Sequence, residues 1–116
     1  MDEQAVREHA QATCKALLAG DIGKAAEEMS KELRSSLGPI VAMLPMPMTE
    51  ASIESIESTP SGYKAVLHLV GEGDTLMLET RWKDRDGQPT IVEASRVHEE
   101  PVVTDTEAEA AGGEER

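Results

Sequence analysis

Two alternating apolar runs around a Gly-containing turn, YKAVLHLVGEGDTLMLETRW from Tyr63 to Trp82, constrain this chain more than any other stretch. Such a pattern is a strong β-hairpin signal. If Glu72 and Gly73 form a two-residue loop, Leu69 faces Leu76, Leu67 faces Leu78, Ala65 faces Thr80 and Tyr63 faces Trp82, all on one side. A three-residue loop would set Leu67 against Glu79, and a one-residue slip moves a whole set of side chains to the other face. The apolar pattern therefore selects the two-residue loop. One face of the hairpin is left in need of a cover.

The cover comes from the preceding residues. Val6, Ala10, Thr13, Cys14, Leu17 and Leu18 recur at helical spacing, Asp2 and Glu3 sit where a helix dipole favours acids, and Gly20 supplies the stop. A helix is expected from about Asp2 to Ala19. Asp21 suits the N-cap of a short second helix with Ile22, Ala25, Ala26 and Met29 on its face, and Ser30 suits the cap of a third carrying Leu33 and Leu37. The same spacing runs on through Ile40, Val41 and Leu44. Gly38-Pro39 interrupts it, because proline removes a helical hydrogen bond, so a kink, a break or a fresh first turn is expected there. LPMPMTE, Leu44 to Glu50, reads as an extended linker whose methionines, with Met43, plug the seam between helices and sheet.

Beyond the linker the helical period is lost. A first strand over about Ala51 to Ser58 is expected, with Ile53 and Ile56 on opposite faces and a polar remainder suited to a sheet edge. The central hairpin follows. Asp86-Gly87 then marks a second hairpin leading into Thr90 to Val97, whose register is open. A tight loop pairs Arg85 with Gln88 and Trp82 with Ile91, and it brings Glu93 and Ser95 beside Thr80 on the covered face. A slip of one covers Val92 and Ala94 instead and exposes Glu93. The first arrangement makes a polar cluster that needs a reason to exist, and the second a drier core.

The fold class expected is thus α+β, with N-terminal helices packed on the concave face of a curved antiparallel sheet of four strands or slightly more, in one domain over residues 1–98. From Glu99 to Arg116 there are seven acidic residues and one basic, so half of the net charge of −12 lies in that segment. It is expected to be a disordered, solubilising tail. An acidic chain with no basic stripe is a poor partner for nucleic acid, and no apolar run approaches the length of a membrane span. The N-terminus lacks the basic and apolar segments of a secretory signal, so a cytoplasmic location is expected. One cysteine allows no intrachain disulfide. His9, His68 and His98 form no recognisable ligand set, so neither a metal nor any other cofactor is expected.

Gly20-Asp21, the alanine pair Ala25-Ala26 with Met29, and Trp82, Asp86-Gly87 and Ile91 in the last hairpin carry a resemblance to the nuclear transport factor 2-like superfamily. It spans roughly residues 2 to 98. The resemblance implies a cone of helices filling a bent sheet, often as a dimer, in a superfamily that holds isomerases, dehydratases, cyclases and proteins without catalysis. Fold alone selects none of these. Ketosteroid isomerase uses a tyrosine and two carboxyl groups in an apolar pocket. Here Tyr63 has no pair of aspartates on the covered strand face, and no aspartate-histidine pair of the dehydratase kind is legible, so no catalytic residue is carried over.

Two sets of residues compete for function. Tyr63, Leu78, Thr80, Trp82, Glu93 and Ser95 would line a pocket on the covered face, for a small apolar ligand. In an isomerase or hydro-lyase acting on a small hydrophobic substrate, a buried Glu93 would be the general base. The opposite face carries Val66, His68, Val70, Met77 and Arg81, two valines and a methionine with charges at one end, which reads as an association surface for a homodimer or a protein partner. The preferred reading is a non-catalytic homodimer.

Overall fold

The computed structural model describes residues 1–97. It is an α+β fold, four helices followed by four strands. Helix α1 (Glu3–Leu18) starts at Asp2, whose carboxylate accepts from the Ala5 amide. It ends in a Schellman motif: Gly20, at φ 76°, and Asp21 donate to the carbonyls of Leu17 and Ala16. Asp21 then caps α2 (Ile22–Ala26) and Ser30 caps α3 (Lys31–Arg34) through their side chains. The interruption expected at Gly38-Pro39 falls earlier, at Ser35 and Ser36, so Leu37 opens α4 (Leu37–Met43) and Pro39 sits in its first turn, where the missing N–H costs nothing.

Strands β1 (Met48–Thr59), β2 (Gly62–Gly71), β3 (Thr75–Arg85) and β4 (Gln88–Arg96) form one open antiparallel sheet in sequence order. The central hairpin has the expected register, from Tyr63 opposite Trp82 to Leu69 opposite Leu76, and Gly71 donates to Asp74 across the two-residue loop. Ala65, Leu67, Leu69, Leu76, Leu78, Thr80 and Trp82 are all buried on one side, beneath the helices. Val6, Ala10, Cys14 and Leu17 of α1 join them in a single core.

The flanking strands depart from simple alternation at bulges, where an extra residue re-aims the side chains beyond it. In β1 the register shifts between Ile53 and Ser55, so Ile53 lies opposite Leu67 and Ile56 opposite Ala65. Both isoleucines therefore face the core. The expectation that they lie on opposite faces is corrected, because Glu54 takes up the extra place. β1 is the edge strand that its polar residues suggest.

In β4 the two registers weighed from the sequence each hold over part of the strand. The loop is tight: Asp86 and Gly87 both have positive φ, as a type I′ turn requires, and Arg85 pairs with Gln88 and Trp82 with Ile91. A bulge at Val92 follows. Past it Arg81 lies opposite Glu93, Thr80 opposite Ala94 and Glu79 opposite Ser95. The free edge of β4 is clamped at one point, where Ser30 donates to the Ile91 carbonyl and the Ile91 amide donates to that of Glu28. The expected acidic tail lies outside the described residues.

Candidate functional site

The Val92 bulge decides what the covered face contains. Ala94, not Glu93, is set beside Thr80. Glu93 turns to the outer face, where its side chain is 72% exposed and its carboxylate stands 3.6 Å from the Arg81 guanidinium. Ser95 is exposed on the same face, opposite Glu79. Neither residue belongs to a pocket under the helices. The expectation is corrected by one extra residue in a strand, since every side chain past it changes face.

Four of the six pocket candidates do lie on the covered side. Leu78, Thr80 and Trp82 are buried, and Tyr63 is half-buried opposite Trp82. The polar groups of Thr80 and Trp82 are already spent. Trp82 donates its indole N–H to Thr80 Oγ1 at 2.8 Å, and Thr80 donates to the carbonyl of Ala65 at 2.7 Å. Buried polar groups that satisfy one another have no hydrogen bond left for a ligand. The space between α1, α2, α4 and the β3–β4 hairpin is about 20 Å³, walled by residues such as Leu17, Met29, Ile40, Leu78 and Ile91. It is of the order of one water molecule and lacks the polar partners that water needs. Pockets for small molecules typically enclose about 300–1,000 Å³.

Other groups with chemical potential are tied into the structure. Burial pushes the Cys14 thiol up to about 11, so it stays protonated and packs as a small apolar side chain. His9 Nδ1 lies 2.7 Å from Glu28 Oε1, and Glu28 also gives its backbone carbonyl to Ile91. This pair links α1 to the segment that clamps β4. Among the described residues, no cluster of three or more His, Cys, Asp or Glu side chains is placed to hold a metal ion. No described helix is long and apolar enough to cross a membrane. An open groove of about 700 Å³ runs between α1 and the edge strand β1, with Arg7, Lys15 and Leu18 on one wall and Ile53 on the other.

The opposite face of the sheet keeps the pattern read from the sequence. Across the strands, Ser55, Val66, Glu79 and Ser95 form one row; Ser52, His68, Met77 and Val97 form the next; Glu50, Val70 and Thr75 form a third. Val66, His68, Val70, Met77 and Val97 are half-buried and adjoin one another. At the end nearer Trp82 the charges are paired, Lys64 with Glu57 at 3.8 Å and Arg81 with Glu79 at 3.1 Å and Glu93 at 3.6 Å. Among the described residues, the central row carries no carboxylate or ammonium group. Glu93 and Ser95, assigned from sequence to the pocket, belong to the border of this surface. The signal that could have placed them is the drier core obtained with Ala94 inside. Comparison of the chain with family models and with curated proteins finds no match.

Proposed function

We propose that this chain is a non-catalytic association module of the nuclear transport factor 2-like type, which pairs with a second copy through the outer face of its sheet. The observation that carries the reading is the division between the two faces. The covered side is filled, with the Thr80 hydroxyl and Trp82 indole bonded to each other, whereas the outer side offers neighbouring Val66, Val70, Met77 and Val97 with paired charges at one end. An apolar centre with a polar rim is the composition of an interface.

Size supports the same partner. Four strands at about 4.8 Å and some eight residues at about 3.3 Å outline a face on the order of 500 Å² in plan. Side-chain relief raises its accessible area toward the roughly 800 Å² per partner of a standard interface. A twofold pair also needs a surface that complements itself, and the central row of Ser52, His68, Met77 and Val97, which carries no carboxylate or ammonium group, lets two copies meet there without placing acids together. The filled core weighs against the small-ligand reading, and the exposure of Glu93 weighs against an isomerase or hydro-lyase that uses it as a buried base.

Cross-linking tests the face itself. In a Cys14→Ala background, Met77→Cys should give a covalent dimer with a short bis-maleimide, and Lys24→Cys, on the exposed side of α2, should not. Equal yields from the two positions would contradict the reading.

A further inference from the structure

We propose that association through the outer face is gated by pH, with His68 as the group that weakens it when protonated. The inference rests on the outer-face reading above. His68 sits in the middle of the apolar patch: Val66 and Val70 flank it along β2, Met77 faces it from β3 with Val97 beyond, and Ser52 faces it from β1. The helices pack on the other side of the sheet, so among the described residues the groups surrounding the ring come from the strands.

Among the described residues, none of its direct cross-strand or same-strand neighbours is an acid. The nearest acids on the flanking strands are diagonal to it, Glu50 opposite Val70 and Glu79 opposite Val66, and Glu79 is held by Arg81. Lys64, further along β2, is itself a cation and is paired with Glu57. A second copy related by a twofold axis presents the same residues, including its own His68. A neutral imidazole tolerates such surroundings. An imidazolium enclosed between two apolar patches loses its hydration, and among the described residues its nearest counter-charges, Glu50 and Glu79, stand only diagonal to it; a symmetric pair contains two such imidazoliums.

Imidazole is the side chain whose ordinary titration falls between about pH 5 and 8. Protons would then bind the separate copies in preference to the pair, so association weakens as pH falls. The test is sedimentation equilibrium of the full chain at pH 8 and pH 5.5, repeated with His68→Phe and His68→Gln, with far-UV circular dichroism to confirm folding at both pH values. The dissociation constant of the unaltered chain should rise at least about tenfold at pH 5.5, because both imidazoles of the pair oppose association once protonated. Both variants should associate with little dependence on pH.

A pair whose affinity is the same at both pH values would overturn the gating while leaving the outer-face reading intact. Variants that keep the full pH dependence would assign it to another group and overturn it equally. A chain that stays monomeric at pH 8 would remove the outer-face reading, and the gating with it.

Discussion

Trp82 donates its indole N–H to the hydroxyl of Thr80, two residues before it on the same face of β3, and that hydroxyl donates to Ala65 on the neighbouring strand. Both side chains are about 1% exposed. The relay closes the sheet's covered side, because it uses the polar groups that a ligand would otherwise address. Replacing Thr80 with valine keeps the shape and leaves the Trp82 N–H buried without a partner. Thr80→Val should therefore destabilise the fold by about 2–3 kcal/mol, and Thr80→Ser, which keeps the hydroxyl, by less. Urea unfolding followed by Trp82 fluorescence measures both.

Glu93 is predicted to be dispensable for stability. Its carboxylate is mostly in water and its contact with Arg81 is a surface ion pair of the kind that contributes little. Glu93→Ala should change unfolding free energy by no more than about 0.5 kcal/mol. Ala94→Glu, which puts a carboxylate where Thr80 faces β4, should cost several times more. Equal and large losses from the two substitutions would mean that the bulge is misplaced.

The contrast between these neighbours shows what the residue pattern contains and what it lacks. The Leu67–Leu78 and Leu69–Leu76 pairs are legible because a slip would bury Glu79, a penalty visible in the sequence itself. Caps at Asp21 and Ser30 are equally local. Bulges at Glu54 and Val92 are different, since an extra residue in a strand leaves the composition on each side of it unremarkable. Uninterrupted alternation separates Ile53 from Ile56 and, in the tight-loop register, turns Glu93 and Ser95 inward; one extra residue in each strand undoes both. The outer-face residues Val66, His68, Val70, Met77 and Arg81 escaped the error because they lie on the two strands paired to each other without interruption.

Cys14 couples stability to alkaline pH. Burial holds its thiol protonated up to about 11 in the fold, whereas an unfolded chain ionises it at the ordinary value near 9.0. The folded value is the higher one, so its contribution is fully present below the unfolded value and is lost as pH rises toward the folded one. Between about pH 8.5 and 11 the unaltered chain should lose some 2–3 kcal/mol more than Cys14→Ala does. Paired denaturation curves across that range provide the comparison, and parallel losses would count against a buried thiol.

Gly71 is fixed by what lies over it. A Cβ at this position would fall on the Pro45 carbonyl oxygen, and the atoms it meets are mostly backbone. The linker thus crosses closely over the end of β2, which is where the chain passes from helices to sheet. Gly71→Ala should cost about 1–3 kcal/mol by forcing that crossing apart. Gly73, in the adjacent loop with open space around it, should accept alanine with a smaller loss. Thermal unfolding of the two variants separates these outcomes.

The most direct measurement of the association reading is sedimentation equilibrium of the full chain at micromolar concentration and pH 8, alongside Val66→Glu and Met77→Glu. The account predicts a species of twice the 12.5 kDa chain mass that returns to 12.5 kDa in either variant while the circular dichroism spectrum is unchanged. A 12.5 kDa monomer for the unaltered chain, or a dimer that both variants leave intact, would contradict it.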